Sequence, residues 1–115
     1  MIKRKFINEV KKLWGSEEWI VNSLYCGKFL NVFQGYKTSL HYHKKKHETF
    51  YVLKGQIMID DGKRSILLKE GDIFDIVPNQ AHRVSAITDC KLIEFSTHHE
   101  DKDSHRIEIG GKIEL

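Results

Sequence analysis

From Trp19 to Ser96 the chain is a succession of short strand-forming runs, each closed by turn residues. That pattern leaves few folds open. Val, Ile, Phe, Tyr and Thr suit a pleated, half-buried surface, whereas Gly, Asn and Asp interrupt one. The predicted strands cover 19–21, 28–34, 39–43, 49–53, 56–60, 64–68, 73–77, 82–86 and 92–96. Asp61-Gly62, between Ile59 and Ile66, is a hairpin signal, and Gly35, Gly55 and Gly71 stand where strands should end. Many short strands at this spacing predict an all-β fold, a closed barrel or a sandwich. Phe50 to Leu53 and Ile57 to Ile59 are apolar at consecutive positions, which predicts burial on both faces, by a second sheet or by a partner subunit.

The chain's 115 residues fit one domain, and a hydrophobic content of 40% supports a packed core. Residues 1–14 have two readings. Ile2, Phe6, Val10, Leu13 and Trp14 stripe one face of a short helix, or the segment is an extended arm anchored by Phe6. The net charge of +3 is mild and its lysines are scattered. No nucleic-acid or membrane partner is therefore expected. No apolar stretch approaches the ~20 residues of a membrane span, and the N-terminus lacks the apolar core of a signal peptide. A cytoplasmic location is the default. Cys26 and Cys90 form no C-x-x-C and read as small buried side chains, one long-range disulfide being the alternative.

The chemistry concentrates in two blocks. In the first, Gly35 and Gly55 bracket His41, His43 and Glu48; in the second, Gly71, Pro78 and His82 follow one another. Read as a hairpin, the first block places His41 and His43 on one strand face and Glu48 opposite His43, across a turn at Lys44 to Lys46. His82 can close the set from another strand. A His-x-His pair alone is commonplace on exposed strands. Three imidazoles and a carboxylate at these offsets form a ligand set for one divalent ion: Zn, Mn, Fe, Co or Ni. Tyr42 and Arg83 adjoin ligands, so strand alternation turns them away from the ion.

These blocks resemble the paired motifs of the cupin superfamily. The first family motif, a glycine, five residues, His-x-His, a glutamate and a glycine, matches at Gly35, His41, His43, Glu48 and Gly55. The second matches at Gly71 and His82, with Val77 in the usual proline place, Pro78 after it, and Asn79 where glycine is usual. The resemblance spans about residues 14–97. It implies a single-domain jelly-roll β-barrel, a double-stranded β-helix. The expected division is an arm or short helix over 1–13, a barrel core over 14–97, and a polar tail over 98–115. Residues 112–115 of that tail read as a strand or a frayed end.

A narrower resemblance is to the sugar-phosphate isomerase cupins, type II mannose-6-phosphate isomerases above all. Trp14-Gly15, Ser39-Leu40, His43, Lys46, Glu48, Phe50 and Ile93-Glu94 follow that pattern, with His41 replacing a glutamine and Lys46 an arginine. It implies an aldose–ketose isomerase acting on a sugar or sugar phosphate. Lys46 and Arg106, with Arg83, would then bind phosphate. The proton-moving base falls among Glu94, His98 and His99. Glu94 and His98 are the assigned pair, although Glu94 reads better as a structural group or as a partner for a ligand histidine. A non-catalytic sugar-binding or regulatory module and an Fe(II) dioxygenase are the alternatives. Metal-free nucleotide-sugar epimerisation fits poorly with a complete ligand set. Trp14, Trp19, Phe50 and Phe74 are core or interface aromatics that could also stack on a sugar ring. Small cupins commonly dimerise, and a homodimer is expected.

Overall fold

A computed structural model describes residues 1–114. Thirteen strands follow in chain order: β1 (Asn8–Lys12), β2 (Gly15–Asn22), β3 (Tyr25–Val32), β4 (Tyr36–Lys37), β5 (Leu40–His43), β6 (Glu48–Lys54), β7 (Ile57–Asp60), β8 (Ser65–Leu68), β9 (Ile73–Ile76), β10 (Arg83–Ala86), β11 (Cys90–Thr97), β12 (Ser104–Glu108) and β13 (Gly111–Lys112). A six-stranded sheet runs β1-β2-β3-β11-β6-β9, a five-stranded sheet runs β13-β4-β10-β7-β8, and β12 pairs with β5 alone. The two larger sheets pack Leu30, Val32, Phe50, Val52, Ile76 and Leu92 against Ile57, Ile59, Leu68 and Val84. This is the expected all-β jelly roll. Among the described residues no helix is long and apolar enough to cross a membrane.

Period-two alternation explains which side chains enter the core. Cys26, Lys28, Leu30 and Val32 of β3, Glu48, Phe50 and Val52 of β6, and Cys90, Leu92 and Glu94 of β11 are all buried. Each series runs from apolar to charged. The ladders set Glu94 beside Lys28 and Phe50, and Ser96 beside Glu48. One end of the interior is therefore hydrocarbon and the other ionic. An unpaired buried charge costs several kcal/mol, so the ionic end stands only if its charges satisfy one another. Both cysteines are buried and unpaired.

Several expectations are corrected. Within the single chain the second sheet covers one face of the apolar runs: Phe50, Val52, Ile57 and Ile59 are buried, Tyr51 and Met58 are half-buried, and Leu53 is exposed, so the second sheet does not account for burial of the other face. Residues 8–12 form a strand, not a helix, because the edge of β2 offers an antiparallel ladder over the whole segment, from Asn8 opposite Trp19 to Lys12 opposite Gly15. The extended alternative fits, with Phe6 packed edge-on against Phe29 at 6.1 Å. Asp61-Gly62 does sit in the β7–β8 connection, where Asp61 N–H donates to Arg64 O at 3.1 Å. Gly55 ends β6 at φ 86°, where an added Cβ would run into the Asp89 carbonyl.

The C-terminal segment does more than trail. β12 pairs with β5, setting Ser104 opposite His43 and Arg106 opposite His41, and β13 pairs with β4. Before β12, Asp103 accepts hydrogen bonds from the backbone N–H groups of Lys44, Lys45 and Lys46 at 3.0–3.2 Å. One buried carboxylate thus ties the 44–46 turn to the tail. Asp103→Ala should lower unfolding free energy by about 2–3 kcal/mol, since charge-assisted bonds are lost and the buried Lys46 amide is left unpaired. Urea unfolding checks this; an unchanged midpoint would contradict it.

Candidate metal centre

Three histidines converge at the ionic end of the barrel. His41 and His43 alternate on β5, and a two-way backbone bridge brings in His82: His41 N–H donates to His82 O at 3.1 Å, and His82 N–H to His41 O at 2.9 Å. Asn79 makes that approach possible. Its φ of 71° is the left-handed conformation that the expected glycine would supply, and its N–H donates to His43 O at 2.6 Å. One nitrogen from each ring lies within 4.8 Å of the others.

The backbone decides which nitrogen. The Nδ1 atoms of His41, His43 and His82 lie 2.9, 3.1 and 3.0 Å from the carbonyl oxygens of Ser39, Asp103 and Gln80. A carbonyl only accepts, so each Nδ1 carries the proton and each Nε2 keeps its lone pair. Three backbone carbonyls therefore present three metal-ready Nε2 atoms to one point.

Glu48 reaches that point by a route other than the expected hairpin. β5 pairs with β12, whereas β6 lies between β11 and β9 in the six-stranded sheet. The 44–47 turn crosses between walls because Asp103, not a facing strand, takes its amides. Glu48 Oε2 lies 3.5 Å from His43 Nε2 and 3.2 Å from His82 Nε2. Both Glu48 Oε2 and His82 Nε2 are buried without a hydrogen-bond partner among the described residues. Two acceptors thus face each other in a low-dielectric site, an arrangement that a cation between them relieves. Ligand atoms about 2.1 Å from one ion stand roughly 3.0–3.4 Å apart, close to these separations. The nitrogen-and-oxygen set, with no thiolate, fits a first-row divalent ion.

The electrostatics keep the donors deprotonated. Burial, with His82 and His43 nearby, lowers the His41 pKa to about 4. Burial, Lys46 and His82 lower that of His43 to about 4. Burial works to raise the pKa of Glu48, but the Lys46 ammonium, 3.2 Å from Oε1, opposes it, and the carboxyl lies below its ordinary range.

The remaining candidates divide. A cavity of about 660 Å³ opens over the histidines, and Trp19, Lys46, Glu94, His99 and Arg106 line it. Lys46 is not a solvated turn lysine with a free charge. It is 3% exposed, and its Nζ lies 3.0 Å from Glu94 Oε2, 3.2 Å from Glu48 Oε1 and 2.9 Å from His99 Nδ1. Two hydrogen bonds and a second carboxylate thus hold the ammonium within the protein, which removes it as a phosphate anchor. Glu94 is buried against it. His98 is outside the cavity, its Nδ1 2.7 Å from Ser23 O, and the neighbouring His99 takes the inward place. Arg83 is spent on Asp60 and Glu108. Arg106 makes no ion pair or hydrogen bond among the described residues, and its register with His41 sets both on one face. Tyr42 points away as expected, stacked on His105.

Trp14 and Phe50 belong to the core and Phe74 packs against it, while Lys28 Nζ covers the Trp19 ring at 3.9 Å. Asp103, Ser104 and Lys28 escaped the sequence reading. Only Lys28 left a local trace, an inward position in phase with Leu30 and Val32.

The family model for the cupin domain matches residues 30–96. A comparison with curated protein sequences finds no match. Among solved structures, KdgF from a Halomonas species superposes with a TM-score of 0.75 at 16% identity, over 86% of this chain and 98% of that one. Capsular polysaccharide assembling protein CapF from Staphylococcus aureus gives 0.78 at 19% identity, over 89% of this chain and 32% of that one. Ectoine synthase from P. lautus gives 0.77 at 11%, over 95% and 91%. At these identities the likeness is one of fold.

Two outcomes are expected. His43→Ala should abolish stoichiometric metal retention, measured by elemental analysis after dialysis; full retention would contradict the site. In metal-free protein, His41 and His43 titrate near 4 when folded against an ordinary value of 6.5. Between those values the unfolded chain binds more protons, so stability should fall as pH falls through that window. Thermal melts across it check this; a flat profile would contradict the geometry.

Proposed function

This chain belongs to the cupin family, and we propose that it is a metal-dependent enzyme acting on a sugar or sugar phosphate, with aldose–ketose isomerisation as its reaction. One observation carries the reading: the orphaned Glu48 Oε2 and His82 Nε2 lie beside two more Nε2 atoms in a cavity that Arg106 also lines. His41, His43, His82 and Glu48 would hold the ion. A divalent ion there supplies Lewis-acid polarisation of a carbonyl or hydroxyl oxygen.

The chain's own groups do the rest. Arg106 takes the substrate's anionic group and orients the hydroxy-carbonyl end toward the histidines. Glu94 lines the cavity with one carboxylate oxygen bonded to Lys46 and Ser96. Its other oxygen removes the proton from the hydroxyl-bearing carbon and returns it to the adjacent carbon, while the hydroxyl proton passes to the former carbonyl oxygen, so that carbonyl and hydroxyl exchange places. The apolar lower barrel excludes water from that transfer. A sugar-binding module is the second reading, favoured by the same ion pairs, since Lys46, Glu94 and His99 are all engaged with one another.

An NMR turnover panel of aldose phosphates separates the two. Turnover with Arg106→Ala raising KM about 10–100-fold, at little changed kcat, supports isomerisation. Binding of the panel without turnover supports the module, and oxygen uptake with Fe(II) would replace both by a dioxygenase. We also propose a homodimer, since Leu53, Ile66, Leu67 and Ile73 are exposed. Light scattering tests it, and a monomer at micromolar concentration would contradict it.

A further inference from the structure

We propose that Lys46 is a positioning residue that restricts Glu48 to one-oxygen coordination, so that the centre keeps open positions for substrate. The inference rests on the metal reading above and assigns a new role within it. Glu48 divides its two oxygens: Oε2 faces His43 and His82, and Oε1 faces the Lys46 ammonium at 3.2 Å. An ion drawing in both oxygens would have to share Oε1 with a fixed positive charge, and like charges at that range repel strongly in a buried site.

The ammonium cannot readily yield. Glu94 Oε2 holds it at 3.0 Å and is itself held by Ser96 Oγ at 3.1 Å. His99 Nδ1 holds it at 2.9 Å, and His99 Nε2 is anchored on Asp101 Oδ1 at 2.8 Å. Asp103 fixes the Lys46 backbone through its N–H at 3.1 Å. Lys46 is therefore pinned at both ends of its side chain. Three imidazole nitrogens and one carboxylate oxygen are then the protein's whole contribution, which leaves room for two vicinal substrate oxygens. A bidentate Glu48 would take one of those places.

Cobalt(II) and zinc(II) titrations of metal-free protein test this, because the visible absorption of cobalt weakens as its coordination number rises. Lys46→Met should give a weaker visible spectrum than wild type while holding zinc at least as tightly. Lys46→Arg, which keeps the charge, should restore the wild-type spectrum. Glu94→Gln removes an equally buried ion pair but leaves Lys46 on Glu48, and should also keep the wild-type spectrum. A wild-type spectrum in Lys46→Met, lost zinc binding in that variant, or the same weakening in Glu94→Gln would each overturn the role. If circular dichroism shows Lys46→Met unfolded, Lys46→Gln, neutral but able to hydrogen-bond Glu94, is judged by the same criteria. Wild-type protein that binds neither metal would overturn the metal reading itself, an outcome distinct from failure of the Lys46 role alone.

Discussion

Three backbone carbonyls hold the histidine cluster of this protein together. Ser39, Gln80 and Asp103 each accept a hydrogen bond from the Nδ1 of a different histidine. Each bond selects a tautomer and aims an Nε2 lone pair at a shared point. Without these bonds the rings could rotate or carry their protons inward, and the convergence would be lost. The three carbonyls belong to segments far apart in the chain, so the centre exists only once the barrel has closed.

The same closure organises the charges. Strand alternation commits Lys28, Glu48 and Glu94 to the interior with the aliphatic core residues, and Lys46 joins them from the turn. Isolated, any of these charges would destabilise the barrel. Lys46 with Glu48 and Glu94, and Lys28 with Glu17, make the burial tolerable. The ionic end is thus a structural liability, and the hydrocarbon end supplies the stability that offsets it.

Much of this is legible in the chain. The β runs, the Asp61-Gly62 turn and the shared face of His41 and His43 follow from period-two spacing and turn chemistry, both local signals, whereas it is the resemblance to the paired cupin motifs that places His82 with them. What escaped is long-range. β12 has little apolar patterning, and pairing with β5 is what makes it a strand. Nothing near Asp103 says that it accepts three amides almost sixty residues away. The 44–46 lysines look like a solvated turn, yet Lys46 is buried because two carboxylates and a histidine await it on β6, β11 and the segment after β11. Residues 8–12 have apolar spacing compatible with a helix, and only the free edge of β2 decides otherwise.

The cavity joins three converging imidazoles, an uncommitted guanidinium and a buried carboxylate, and the proposed chemistry draws on all three. All of that chemistry depends on one ion sitting among four named atoms. Anomalous diffraction from metal-loaded crystals tests this most directly. The account predicts one strong peak about 2.0–2.2 Å from Nε2 of His41, His43 and His82 and from a single oxygen of Glu48. A peak elsewhere, or none at that point in fully loaded protein, would contradict it.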